Sequence, residues 1–578
     1  MTYAMEQYQS WLNDPAFDEE TRRELLSIRD DATEIEDRFY QNLSFGTAGL
    51  RGILGAGTNR MNRYTVARAA EGFAEYMKSK GDEICRKGIV ICYDPRHYSK
   101  EFATITALIF AGHGVRVRLS DELRPVPLLS FAIRHFGAAG GVMLTASHNP
   151  AQYNGFKAYG EDGAQLPPED ADLVAARMDN INDLAAITWP DEETALAGGL
   201  LSYFGSDIDQ AYDRMLLGLS LGGDAVRRQK DMKIIYTPLH GTGNKPVRRI
   251  LDKIGFTNVL VVPEQEHPDP DFSTVACPNP EERSALSMGI RLAEQEDADL
   301  VIATDPDADR VGLCVRIGSG EYQVLSGNQI GLLLLDFILE AHTAAGTMPD
   351  KPFAVTTVVS TKLTRRIAQA YEIQLFESLT GFKFIAELVK KYDEEGDMHF
   401  LFGFEESYGY LAGRDVRDKD AVVASMLIAE MAAVAKDQGL TLADRLLELY
   451  QRYGYMAEKT IAITREGKTG QERIKSAMMR LRQNKEKRLA GVPVRAIDDY
   501  LTSQRLDLEI GRTSQLDLAQ SDVLIYELDG LDWFGVRPSG TEPKIKIYFG
   551  VYGDDQADCD RRLEDLIQRV ESHVTSGL

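Results

Sequence analysis

The chain has 578 residues, too many for one hydrophobic core, which calls for roughly three to five domains. Hydrophobic residues at 44% and charged residues at 27% are ordinary for a soluble globular protein. A formal net charge of -24 excludes a nucleic-acid surface, which needs a basic stripe. An anionic ligand therefore has to be captured by a local site, not by the global field.

Residues 1–40, with QSWLNDPAFDEETRRELLSI at their centre, are polar and amphipathic and predict an N-terminal helical cap. The opening MTYAMEQYQSWLNDP has no basic n-region and no apolar h-region, so no signal peptide is expected and the cytoplasm is the expected location. Short β-branched runs then alternate with Gly- or Pro-marked turns and helix-spaced segments. The runs are GIVICYD, GVMLT, KIIYTPL, NVLVVPE, DLVIAT, FAVTTVVS, IQLFES and HFLFGF, while KPVRRILDKIG and TKLTRRIAQAYE carry helical spacing. The alternation predicts an α/β protein with three tandem mixed-sheet domains, at 41–205, 206–320 and 321–450. The most apolar run, GLLLLDFIL from Gly331, is short and contains Asp336, so it reads as a buried helix, not a membrane span. Beyond residue 450 the pattern changes. WFGVRPSGTEPKIKIYFGVYG holds two strand-like pieces around a polar turn, and DRRLEDLIQRVESHV is an amphipathic helix. A smaller C-terminal α+β domain over 451–578 follows. The five cysteines form no CxxC pair, and Cys92 and Cys314, in apolar runs, are expected core thiols.

Polar motifs stand at the C-terminal ends of four runs, the position where open α/β sheets bind ligands, and imply one central cleft. TASHNPAQYNGFKAYG presents Ser147 beside His148, with Lys157 ten residues on. A turn serine commonly bonds backbone, but one beside basic groups also suits a nucleophile. DPDADR places Asp305, Asp307 and Asp309 at alternate positions, where extended backbone turns them to one side. Three carboxylates there repel unless a cation neutralises them, and hard oxygen ligands suit Mg²⁺. A calcium EF-hand loop fails, because Arg310 and Arg316 occupy the positions it reserves for Gly and Glu. RPSGTEP offers the planar fork of Arg537, hydroxyls from Ser539 and Thr541, and Gly540 to let backbone N–H groups close on an anion. Glu405, Glu406 and Ser407 suit sugar hydroxyls. TGFK (Thr380, Gly381, Lys383) and GTAGLRG (with Arg51) are Gly-marked loops that suit phosphate. Each of these alone also suits a solvated turn. No P-loop, GxGxxG or GxSxG is present, so neither nucleotide binding nor an esterase elbow is indicated.

Together the motifs resemble the α-D-phosphohexomutase family of phosphoglucomutases and phosphomannomutases. TASHNP is similar to its phosphoserine loop, DPDADR to its metal loop, GFEES to its sugar loop and RPSGTEP to its phosphate loop, in family order. The length and GTAGLRG most resemble the long bacterial phosphoglucomutase branch that is related to phosphopentomutases. The resemblance implies an enzyme that interconverts glucose 1-phosphate and glucose 6-phosphate. Ser147 would carry the phosphoryl group, and its phosphate would join Asp305, Asp307 and Asp309 around Mg²⁺. It further implies that Arg310 supports the phosphoryl group and His148 helps hold the serine. Glu405 and Ser407 would bind sugar hydroxyls, and Arg537, Ser539, Gly540 and Thr541 would hold the non-reacting phosphate. Glucose 1,6-bisphosphate is implied as intermediate and activator, and a small phosphosugar as a partner; no nucleic acid and no membrane are expected. Shorter members carry a histidine where this chain has Gly409, and Lys419 in RDKDA matches a lysine of the longer ones, so the proton-transfer group is Lys157 or Lys419. Phosphomannomutase and phosphopentomutase are the alternatives within the family. A metal-dependent sugar phosphatase and a phosphosugar sensor are the alternatives outside it.

Overall fold

A computed structural model describes residues 2–46, 49–181, 183–465, 467–539 and 544–576. The chain divides into two compact units. One comprises residues up to 326 with 386–396 and 407–441, the other 327–385, 397–406 and 442 onward.

The first unit opens with helices Tyr3–Asn13, Glu19–Ser27 and Ala32–Phe39. Each is started by an oxygen-bearing side chain, Thr2, Asp18 or Asp31, that accepts an otherwise orphaned N–H of the first turn. Their apolar sides meet in a cluster where Trp11 stacks on Phe17 at 4.3 Å between ring centres. A six-stranded sheet follows, ordered 50–53, 153–160, 140–144, 89–93, 117–120, 201–204. The last four strands are parallel; 153–160 and 50–53 are antiparallel. All five residues of Ile89–Tyr93 and of Gly140–Leu144 are buried, as central strands covered on both faces require. A five-stranded sheet has the order 322–324, 311–316, 300–304, 234–237, 259–261, with the last three parallel and the first two antiparallel.

In the second unit, strand Pro352–Thr357 pairs in parallel with Gln374–Ser378 and with His399–Glu405. The apolar run from Gly331 lies in helix Gly327–Ala345, where Asp336 accepts hydrogen bonds from Tyr453 at 2.9 Å and Tyr371 at 3.3 Å. Among the described residues no helix is long and apolar enough to cross a membrane. The C-terminal part is an antiparallel sheet of seven strands, ordered 455–464, 544–553, 533–538, 524–527, 496–499, 504–507, 512–515. Helix Gln556–Thr575 buries Leu563, Leu566, Val570 and Val574 in the same core.

All eight β-branched runs form strands, and both helix-spaced segments form helices, over Asn244–Ile254 and Leu363–Ala370. Cys92 and Cys314 are fully buried. The antiparallel strand Tyr153–Gly160 was not foreseen. It buries Asn154 and Lys157, polar residues that break the apolar signature of an interior strand. Its presence, with Val311–Arg316, makes both the serine loop and the aspartate loop connections of antiparallel hairpins, not strand-to-helix turns. The C-terminal sheet has more strands than the two foreseen; pieces such as QRLD, mostly half-buried, and RTSQ, exposed, are short and polar and carry no strand pattern.

Candidate active site

The loop after Leu144 is wound tightly. Ser147 has φ of 52°, in the left-handed region that non-glycine residues avoid, and its N–H donates to Thr145 Oγ1 at 2.8 Å. The strain turns the hydroxyl inward, where Ser147 Oγ donates to Asp305 Oδ2 at 2.8 Å. The aspartate loop has a matching kink, with Ala308 at φ 49°. Asp305 Oδ1 accepts the N–H groups of Asp309 and Arg310, both at 3.0 Å, so this carboxylate is the hub on which the loop folds.

Asp305, Asp307 and Asp309 are buried, and one oxygen of each lies within 4.8 Å of the others. Burial and the charges of Asp307 and Asp309 push the Asp305 carboxyl well above the usual range. Burial acts on Asp309 in the same sense but is outweighed by Lys419, Lys157 and Arg310, which hold it well below. Asp307 Oδ1 and Asp309 Oδ1 are buried without a hydrogen-bond partner. Three clustered carboxylates, two of them with an orphaned oxygen, are what a hard divalent cation satisfies, so the donor set fits such an ion.

Three cations enclose the triad. Lys157, buried on its strand, donates to Asp307 Oδ2 at 2.7 Å and Asp309 Oδ2 at 3.3 Å. Burial disfavours its charge, but the two carboxylates outweigh that and raise its pKa. Lys419 reaches Asp309 Oδ2 at 3.2 Å and Asp418 Oδ1 at 3.6 Å. Arg310 pairs with Glu281, and its Nε is 4.0 Å from Asp309. His148 Nδ1 is 3.3 Å from Ser147 Oγ; burial, then the charges of Arg310 and Arg51, keep the imidazole neutral. Arg51 itself donates to Asn149 Oδ1 at 3.0 Å. A phosphoryl group at Ser147 Oγ would thus meet positive charge on several sides and a metal-competent triad on another.

Three family descriptions match the chain: phosphoglucomutase/phosphomannomutase alpha/beta/alpha domain I over residues 42–185, domain II over 219–318 and domain III over 326–453. The chain belongs to this family. A phosphoglucomutase of Staphylococcus haemolyticus is 39% identical over 523 residues, 90% of this chain and 92% of that protein. One from Staphylococcus aureus is 37% identical over 537 residues, 93% and 94% of the two chains. Among solved structures, the open form of parafusin, a phosphoglucomutase from Paramecium, has the same fold. Its TM-score is 0.67 at 17% identity, covering 93% of this chain and 95% of that one.

The local geometry accounts for a glycine at position 409. Strand residue Gly409 bridges to Arg310, and a Cβ on it would lie 2.2 Å from Lys419 Cδ and 2.8 Å from its Cγ. The lysine side chain fills the space that a Cβ at 409 would need.

In the second unit, the N–H of Gly381 donates to Glu405 Oε1 at 2.7 Å, which brings the TGFK and GFEES loops together. Thr380 Oγ1 is buried without a partner. The Lys383 amine lies over the Phe384 ring at 4.9 Å. Arg537 lies opposite Lys546 on neighbouring strands, and the Ser539 N–H donates to Lys544 O at 2.7 Å. Gly540 and Thr541, like Thr47 and Ala48 of GTAGLRG, lie outside the described residues. Ser407 follows Glu405 in the chain and is half-buried in the first unit.

Sequence reasoning paired Glu406 with Glu405 as a group for sugar hydroxyls but gave no sign of its perturbed protonation. Burial and the charge of Glu405 push its carboxyl up to about 7, against the pull of Lys546 and Arg537. Sequence reasoning passed over Glu281, the partner of Arg310, and Arg96, which grips the serine loop. The only sequence signal for Arg96 was its place just after a strand, in YDPRHYS.

Proposed function

We propose that the chain is a cytoplasmic phosphoglucomutase that interconverts glucose 1-phosphate and glucose 6-phosphate through a phosphoserine at Ser147 and a glucose 1,6-bisphosphate intermediate. One observation carries the reading. Ser147 Oγ, turned inward by a left-handed backbone, lies against a buried carboxylate triad that has two orphaned oxygens. Phosphoryl transfer asks for positioning and charge neutralisation more than for covalent help, and this site supplies both.

Glucose 1,6-bisphosphate primes Ser147 as the activator. The phosphoryl group then passes from Ser147 to O6 of glucose 1-phosphate. The bisphosphate reorients, and its 1-phosphate returns to the serine. Asp305, Asp307 and Asp309 would hold Mg²⁺, which when bound draws charge from the phosphoryl oxygens. Arg310 and Lys157 neutralise the same oxygens. Lys157 keeps its proton between two carboxylates, and Lys419, the more exposed of the two lysines, first loses its own ammonium proton to solvent and then, as the neutral amine, takes the proton of the incoming hydroxyl. His148 supports the serine as a neutral imidazole. Glu405 and Ser407 bind sugar hydroxyls, and Thr380, Gly381 and Lys383 also bind the substrate. Arg537, Ser539, Gly540 and Thr541 hold the non-reacting phosphate, with Arg51 as a further phosphate contact.

A phosphorus NMR time course on glucose 1-phosphate, with Mg²⁺ and a trace of glucose 1,6-bisphosphate, tests this. A growing glucose 6-phosphate signal is the expected result. Release of inorganic phosphate would mean a phosphatase. Turnover only of mannose or pentose phosphates would move the assignment to a phosphomannomutase or a phosphopentomutase.

A further inference from the structure

The carbonyl groups of the serine turn from Ser147 to Pro150 are held by side chains from outside it. Arg96 follows the buried strand Ile89–Tyr93 and its side chain is wholly buried. Its Nη2 donates to Ser147 O at 2.6 Å and to Asn149 O at 2.5 Å. Its Nη1 donates to Pro150 O at 2.9 Å and Tyr153 O at 3.0 Å. The remaining carbonyl of the turn, His148 O, accepts from Cys277 Sγ at 2.9 Å. Every carbonyl from Ser147 to Pro150 therefore takes a side-chain donor from outside the loop.

The guanidinium is itself fixed. Asp94 Oδ2 lies 3.3 Å from Arg96 Nε, and the plane lies over the Phe272 ring at 4.8 Å. Asp94 is in turn held by Ser99 Oγ at 2.7 Å, and Ser99 by Asn154 at 3.0 Å, which returns to the strand that closes the loop. Left-handed φ at a non-glycine residue costs about 1–3 kcal/mol and persists only where the surroundings over-determine it. A planar fork with donors on two edges can hold four carbonyls at once; an ammonium, a single point charge, cannot.

We propose that Arg96 and Cys277 form a positioning clamp for phosphoryl transfer, resting on the mutase reading above. The clamp makes the serine loop a rigid platform, so that Ser147 Oγ keeps one place whether it is free or phosphorylated. Neither residue reaches the Ser147 hydroxyl; both act through backbone carbonyls, so they are positioning residues and not catalytic ones.

The test uses full-length Arg96→Lys, Arg96→Ala and Cys277→Ala. A misplacement of about 1 Å costs on the order of a hundredfold in rate. Arg96→Lys and Arg96→Ala are expected to lower kcat about a hundredfold, with KM for glucose 1-phosphate within about threefold of the parent and Mn²⁺ affinity unchanged. Added ethylguanidinium should restore Arg96→Ala at least about tenfold and leave Arg96→Lys unaffected. A folded Arg96→Lys enzyme with parental kcat overturns the proposal. Should the Arg96 variants not fold, Cys277→Ala decides: a several-fold lower kcat with parental KM supports the clamp, and parental kcat overturns it. The parent enzyme separates this from the function itself. If intact mass after glucose 1,6-bisphosphate shows no phosphoryl group on the parent, the mutase reading fails and the clamp with it. If parent and variants load and turn over alike, only the clamp fails.

Discussion

Gly409→Ala isolates the lysine that lies over it. The new Cβ would stand 2.2 Å from Lys419 Cδ, nearer than any non-bonded pair tolerates, so the lysine must swing away. It then gives up its 3.2 Å contact with Asp309, made between side chains only 12% and 2% exposed. A charge-assisted hydrogen bond of this kind is worth about 1.5–3 kcal/mol net, and Asp309 retains Lys157 at 3.3 Å. Against this, Ala replaces Gly within a strand, which by itself stabilises by about 0.5–1 kcal/mol. The balance is a loss of about 0.5–2.5 kcal/mol, read as a lower urea midpoint, with kcat at least about tenfold lower for want of the proposed proton-transfer group. The same change in a Lys419→Ala background meets no lysine. There it should be neutral or stabilise by about 0.5–1 kcal/mol, with no further loss of kcat. The sign reversal between backgrounds is the diagnostic. Equal destabilisation in both would refute the claim that Gly409 is required by Lys419.

Ser147→Ala should abolish turnover and phosphoryl loading while Mn²⁺ still binds the triad; comparable turnover would sink the phosphoserine mechanism. Chelation with EDTA should stop turnover reversibly, and Asp307→Asn should weaken divalent-cation binding about a hundredfold by calorimetry, since it removes an oxygen the protein leaves unpaired. Glu406 gives a pH signature. Its folded pKa, about 7 against an ordinary 4.5, means the folded protein binds this proton more tightly than the unfolded chain. Its contribution to stability is therefore full below about pH 4.5 and is lost as pH rises through about 7, by up to about 3 kcal/mol. Urea midpoints of the ligand-free protein across that window should fall less steeply in Glu406→Gln than in the parent.

Much of this architecture was legible because interior strands announce themselves. Ile89–Tyr93 and Leu300–Thr304 are apolar along their length, and the polar residues that follow them mark loop mouths. The triad was legible because its spacing is local. What stayed hidden depends on partners distant in the chain. Lys157 stands out by its place after the serine loop, but its burial against Asp307, 150 residues away, does not show in the sequence. Gly409 reads as a missing histidine until Lys419 is seen to fill its space. Arg96 has no periodicity to betray it, since its targets are backbone carbonyls more than fifty residues on.

The reach of Ser147 to Asp305, and of Asp309 to Lys419, has a consequence for biosynthesis. The serine meets its first carboxylate 158 residues downstream, and the lysine over the triad comes later still. At about 5–20 residues per second, on the order of tens of seconds pass between synthesis of the nucleophile and completion of its surroundings. A nascent chain thus carries an ordinary serine until the strand and helix around Lys419 have left the ribosome. On the proposed reading, the hydroxyl becomes competent to take phosphate from a sugar only in a chain whose first unit is whole.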